Sequence, residues 1–220
     1  MKQTYIDFIS KILKSNKIGM PIYVNKMAYL LSQKYELDEK DALAATAVAV
    51  KRIMDKNLIP NLRFYQKGIY YLTKETAFGE IQINKQQLIE DKYIDNNCGY
   101  ETDYNLLYKM GLTTQIPNNK IIATNAVKDC TREDKKLGVF VRPSKTKITA
   151  KNKEYLKILD VLNLLNKIDI DKISAYKIIA GYIKKYKLYY DKLIAMADKY
   201  YNKNTVLELA HTASVGEISL

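Results

Sequence analysis

Apolar residues recur at helical spacing from the start of the chain. Ile6, Ile9 and Leu13, flanked by Tyr5 and Ile12, make one stripe over residues 4–15. Gly19 and Pro21 end it and begin a new element. A second helix is predicted over residues 26–35, capped by Asn25, with Met27, Leu30 and Leu31 turned inward. Asp38 caps a third that runs to about Lys56, with Glu39 and Asp41 in the first turn, where the helix dipole favours carboxylates. In this helix Leu43, Ala47, Val50, Ile53 and Met54 form the expected core stripe, while Asp41, Ala45, Val48 and Arg52 lie on another face. Residues 42–50 carry almost no long side chains. Such a helix can lie close to another surface, either the floor of a DNA major groove or a second packed element. Alternation then replaces helical spacing: residues 58–66 read as a strand, Lys67-Gly68 as a tight turn, and residues 69–73 as the returning strand. Three helices followed by a hairpin is the order of a winged helix-turn-helix, assigned to residues 1–76.

Residues 77–220 read as a mixed α/β domain with a helical C-terminus, so the fold class expected is α+β. A helix is predicted within residues 82–93 on Leu88, Ile89 and Tyr93. Gly99 then breaks the chain, Thr102 or Asp103 caps a helix over about 104–110, and Gly111 stands where a left-handed cap belongs. Leu112 folds back on that helix and Pro117 ends the connection. Buried strands are expected at 121–124, 137–141 and about 147–150, a small sheet spanning about 119–150. From Asn152 the 3.6-residue period returns on Leu156, Ile158, Leu159, Val161 and Leu162, ending near Asn166. Asp171 caps the next helix, with Ile179, Tyr182, Ile183 and Tyr186 inward and Lys177, Lys184, Lys185 and Lys187 outward. Another helix follows at about 192–201, then a short one through Leu209 capped by Asn204 or Thr205.

Charge adds a partner class. The net charge is +12, and it is uneven: residues 1–75 hold 13 Lys and Arg against 7 Asp and Glu, residues 76–150 hold 11 against 9, and residues 151–203 hold 12 against 6. Two basic ends around a near-neutral middle favour a polyanionic partner, although a Lys- and Tyr-rich composition also serves solubility alone. No run of about 18 apolar residues is present, and residues 1–6 lack the apolar core of a leader, so a cytoplasmic protein with no membrane partner is expected. Cys98 and Cys130 are too few for a disulfide framework or a zinc site and are expected to be reduced.

Lys51, Arg52, Arg63 and Lys67 form a coherent set of phosphate contacts, with Lys40 and Thr46 as candidates for the groove. The start of the third helix offers no Arg, Asn or Gln for bidentate base contacts. Specificity is then left to Lys40, Thr46, apolar contacts with thymine methyls, or DNA shape. A winged domain that docks protein instead of DNA is the alternative. In the C-terminal helices Tyr176, Tyr182, Tyr186, Tyr189 and Tyr190 alternate with lysines, a pattern open to base stacking, to core packing, or to docking an acidic protein. Enzyme chemistry is not indicated. The single histidine, His211, is far from any framed nucleophile, and Glu101 with Asp103 is explained by helix capping. Glu133 and Asp134 show no diagnostic spacing. Phosphate-binding glycine motifs are absent, and no cofactor, metal or catalytic residue is expected.

The stretch Gly99-Tyr-Glu-Thr-Asp-Tyr-Asn-Leu-Leu-Tyr-Lys-Met-Gly-Leu-Thr-Thr-Gln-Ile-Pro-Asn-Asn-Lys-Ile-Ile-Ala-Thr-Asn125 resembles the middle of AbiEi-like antitoxins of type IV toxin–antitoxin systems. A weaker echo lies in the hairpin at residues 65–72. The family order, an N-terminal winged helix, this α/β middle and a helical C-terminus, fits nearly the whole chain. The resemblance implies an antitoxin that binds its own operator DNA as an autorepressor and counteracts a nucleotidyltransferase toxin. It also implies a C-terminal face around Lys177, Lys184, Lys185 and Lys187 that meets that partner. The chain departs from the family in its long helix and loop between Asp38 and Asn61 and in lacking an arginine-rich recognition helix. A stand-alone winged-helix regulator is the other reading.

Overall fold

A computed structural model describes residues 4–216; residues 1–3, part of the start read above for a leader, and 217–220 lie outside it. The protein is mixed α+β with a helical C-terminal region and divides into two compact units, Met1–Leu88 and Ile89–Leu220. No helix among the described residues is long and apolar enough to cross a membrane.

The first unit begins with α1 (Tyr5–Ser15), started by a reciprocal capping box. Thr4 Oγ1 accepts the Asp7 N–H at 3.2 Å, and the Asp7 carboxylate accepts the Thr4 N–H at 3.1 Å. A two-residue strand, β1 (Ile22–Tyr23), leads directly into α2 (Val24–Tyr35). Asn25 is therefore not a cap: it lies inside α2, which begins two residues earlier than expected because β1 delivers the chain there. Met27 and Leu31 are buried as expected, but Leu30 is exposed. Asp38 caps α3 (Glu39–Asp55), its carboxylate accepting the Asp41 N–H at 2.8 Å. The hairpin β2 (Leu62–Gln66) and β3 (Ile69–Leu72) turns at Lys67-Gly68, and β1 pairs with β3 to give a three-stranded antiparallel sheet ordered β1-β3-β2. Residues 58–61 form no strand; Leu58 instead donates its N–H to Ile53, closing the end of α3. Ile9, Leu13, Ile22, Met27, Val50 and Ile53 lie at the centre of one core with Leu62 and Leu72.

A second small hairpin, β4 (Glu75–Thr76) and β5 (Gly79–Glu80), and the short α4 (Lys85–Ile89) follow. The Thr73 hydroxyl donates to the Ile81 carbonyl and the Asn84 N–H to the Gly19 carbonyl, both near 2.8 Å. These bonds tie residues 77–84 to the first unit, so the division falls after Leu88, later than the boundary after residue 76 read from the sequence.

In the second unit a π-helical turn (Glu90–Ile94) precedes a four-stranded sheet ordered β6-β7-β9-β8. Its strands are β6 (Gly99–Thr102), β7 (Lys120–Thr124), β8 (Arg132–Asp134) and β9 (Val139–Pro143). The pair β7 and β9 is parallel and the other pairs are antiparallel. Gly99 does not break an element but opens β6. A Cβ there would lie 1.9 Å from the Tyr93 carbonyl oxygen, so only glycine fits. Between β6 and β7 runs α5 (Asp103–Lys109), closed by Gly111 in the left-handed conformation, with Leu112 N–H on the Leu107 carbonyl at 2.9 Å. The expected strand at 147–150 does not form. The Asn125 side-chain amide takes both backbone groups of Ile148, at 2.8 and 2.9 Å, and replaces a strand partner.

The helical region comprises α6 (Lys153–Leu164), α7 (Lys172–Lys185), α8 (Tyr190–Tyr200) and α9 (Lys203–Val215). Seven residues of α6 are buried, since it packs on β6 and on α5, α8 and α9. Asp171 caps α7 as expected, but Asn202, not Asn204 or Thr205, caps α9. Tyr176 and Tyr190 are core residues, whereas Tyr186 is largely exposed and does not face inward.

Candidate nucleic-acid interface

The outward face of α3 and the β2–β3 hairpin frame a groove of about 750 Å³. Lys40, Leu43, Ala44 and Ala47 of α3 line one wall, and Phe64, Lys67, Ile69 and Tyr70 of the hairpin the other. Tyr23, Val24 and Asn25, from β1 and the start of α2, complete it. Among the described residues no carboxylate lines this groove. Its lining is mostly apolar, and the charged side chains among the described lining residues are Lys40 and Lys67.

This geometry requires a correction to the face of α3 read from the sequence. The residues that enter the core are Ala42, Thr46, Ala49, Val50 and Ile53. Leu43 is 45% exposed and Ala47 is also exposed, so the expected stripe is displaced by one position at its N-terminal end. Thr46 consequently cannot touch DNA: it is fully buried, and its hydroxyl has no hydrogen-bond partner in the described structure.

Arg63 is engaged elsewhere. Its guanidinium forms an ion pair with Glu80 and donates to the Pro60 carbonyl at 2.8 Å, fastening the hairpin to the β5 strand. The Glu80 hydrogen bond holds the guanidinium pKa above its ordinary value. An arginine held in this way does not offer a free charge to a phosphate. Lys40, Lys51, Arg52 and Lys67 remain exposed, and none of the four is in an ion pair among the described residues. The groove residues Phe64, Tyr23 and Tyr70 escaped the sequence reading; Tyr23 lies in β1, which at two residues is too short to show alternation.

The second unit presents a different surface. Lys177, Lys184, Lys185 and Lys187 are all exposed on or just beyond α7. Tyr182 and Tyr186 stack with ring centroids 6.1 Å apart, and Lys185 Nζ lies 5.8 and 5.6 Å from the two centroids. Lysines in the last turn of a helix also complement its dipole, so their presence has a structural cause independent of any partner.

The second unit also holds a buried polar cluster that the sequence did not announce. Asp160 on α6, 4% exposed, accepts hydrogen bonds on Oδ2 from Tyr100 Oη, Thr102 Oγ1 and Arg142 Nη2, at 3.0, 2.7 and 2.7 Å. Tyr201 Oη donates to its Oδ1 at 2.7 Å. Arg142 also contacts Asp103, whose φ of 56° is left-handed. Glu101, buried beside it, meets Lys109 at 2.7 Å and Lys120 at 3.5 Å. Glu101 and Asp103 are therefore members of ion pairs, not simple helix caps; the Thr102 side chain likewise serves Asp160 and leaves α5 without a side-chain cap. Burial and the neighbouring Asp160 raise the pKa of Tyr100 and Tyr201 far above the usual tyrosine range. Tyr100, Thr102, Arg142 and Tyr201 all converge on Asp160, which makes it a cross-link between β6, β9, α6 and the α8–α9 turn. The chain matches no protein-family model, and no curated protein matches it in sequence.

Proposed function

We propose that the first unit is a winged helix that binds duplex DNA, and that the chain is an AbiEi-like antitoxin repressing its own operon and counteracting a nucleotidyltransferase toxin. The observation that carries the DNA half is the groove between α3 and the hairpin, lysine-flanked and free of carboxylates. The element order α1-β1-α2-α3-β2-β3, with β1 completing the hairpin sheet, is the order a winged helix needs. In such a fold α3 enters the major groove and the hairpin rests on adjacent backbone. The toxin half rests on the wording of residues 99–125 and on the exposed lysines at the end of α7.

Titration of a labelled duplex from the region upstream of the chain's own gene tests the DNA half. Binding should weaken steeply with salt, as counterion release requires. Lys40→Glu and Lys67→Glu should each lower affinity at low salt and flatten the salt dependence by about one unit of slope. If full-length protein binds no duplex even at low salt, the repressor reading is lost. The exposure of Leu43 and Phe64 favours a second reading, docking of a protein in the same groove. In that case Lys67→Glu leaves operon repression unchanged.

A further inference from the structure

We infer that α3 reads the C5-methyl groups of thymine in the major groove, so that its preferred sites are thymine-rich steps recognised by apolar contact and not by hydrogen bonds to bases. This deepens the DNA reading and depends on it. Of the exposed residues of α3, Lys40, Leu43, Ala44 and Ala47 line the groove, with Val48 and Lys51 one turn further on, whereas the exposed carboxylates Glu39 and Asp41 are not part of the lining. Apart from Lys40, the groove-lining side chains of α3 carry no donor and no acceptor. Thr46, the one hydroxyl in the stretch, is fully buried and so unable to reach a base edge. The apolar side chains Leu43, Ala44 and Ala47 cannot pair with guanine O6 and N7 or with the cytosine amino group, and would leave the groups they cover desolvated and unpartnered.

The thymine methyl is the one major-groove feature an apolar side chain can bind favourably. Ala44 and Ala47 are small enough to let the helix approach the base edges, and Leu43 adds the reach that alanine lacks. Charge complementarity selects the polyanion as occupant of this face: Lys40 and Lys51 bracket the stripe, Lys67 stands across the groove, and among the described residues no acidic one lines it, Glu39 and Asp41 falling outside the lining. Lysines then anchor the helix to phosphates while the apolar stripe supplies the discrimination.

Replacing thymine by deoxyuridine deletes the methyl and leaves the Watson–Crick pairing intact. Full-length protein is titrated with a labelled alternating dA–dT duplex, the matching dA–dU duplex and an alternating dG–dC duplex, at one salt concentration. The expected result is tightest binding to dA–dT and a loss of about fourfold per contacted methyl in dA–dU, the change that burial of one methyl-sized group implies. Leu43→Ala should bring the dT-to-dU ratio toward one, whereas Leu30→Ala, an exposed leucine on α2 outside the groove, should leave it unchanged. Equal affinity for dA–dT and dA–dU overturns the methyl readout while leaving DNA binding standing. A ratio that survives Leu43→Ala unchanged assigns the preference to duplex shape and overturns it as well. Failure to bind any duplex removes the DNA reading and this inference together.

Discussion

Asp160 shows how much one residue can hold in place. Its carboxylate is buried, and four side chains from three separate segments donate to it. A buried carboxylate in this position is tolerated only because its oxygens are saturated and Arg142 balances its charge. Tyr201 supplies the close contact to Oδ1, so Tyr201→Phe leaves that oxygen short of a donor in a dry site. The expected cost is about 1–3 kcal/mol at neutral pH, read from the denaturant midpoint of unfolding. The same variant should show a distinct pH dependence. In the folded protein burial and Asp160 raise the Tyr201 pKa, whereas the unfolded chain ionises near the ordinary value of 10. The native state therefore binds the proton more tightly, and its stability is lost as pH rises above about 10. Phenylalanine has no such titration. The stability gap between wild type and Tyr201→Phe should shrink above pH 10, and a gap that stays constant there would refute the assigned shift. None of this was visible from sequence, because Tyr100, Arg142, Asp160 and Tyr201 are far apart in the chain and no local pattern links them.

Elements were legible where their periodicity was strong and their contacts local. The stripe of α1, the Asp38 and Asp171 caps, the Lys67-Gly68 turn and the Gly111 cap all follow from neighbouring residues alone. The face of α3 was not, for a physical reason. Residues 42–50 are nearly all Ala and Val, so the two adjacent stripes have almost equal hydrophobicity, and Leu43 tips a sequence-based choice the wrong way. Packing against α1 and α2 decides instead, and the small residues Ala42, Thr46 and Ala49 are those that permit close approach. The strand β8 was missed because Arg132-Glu-Asp134 is an exposed, charged edge with no apolar alternation. The corrected face of α3 makes its own prediction. The Thr46 hydroxyl is buried without a partner, so Thr46→Val exchanges an unpaired polar atom for a methyl of similar size. The thermal midpoint should stay level or rise by a few degrees, and DNA affinity should not change. A loss of DNA binding with a folded Thr46→Val protein would return Thr46 to the interface.

For the whole molecule, the two units present basic surfaces of different chemistry, and the proposed function gives each its own task. The α3 groove combines lysines with small apolar residues suited to a base-pair edge. The end of α7 combines lysines with stacked tyrosines, a surface that suits an acidic protein face better than a groove floor. If the tasks are separate, charge reversal should separate them. Lys184→Glu with Lys185→Glu and Lys187→Glu alters only exposed positions at the end of α7, where α7 packs its other face on α9 through Tyr176 and Glu208. Reversal there also opposes the helix dipole, at about 0.3–1 kcal/mol for a residue in the last turn, too little to unfold a stable unit. The triple variant should therefore keep wild-type affinity for operator DNA while losing its rescue of growth when co-expressed with an adjacent nucleotidyltransferase gene. Lys40→Glu with Lys67→Glu should do the reverse, losing repression but still rescuing growth. Loss of both activities in either variant, with folding intact, would mean that one surface serves both tasks. Rescue that survives the triple reversal would place toxin neutralisation elsewhere in the chain, away from the lysines of α7.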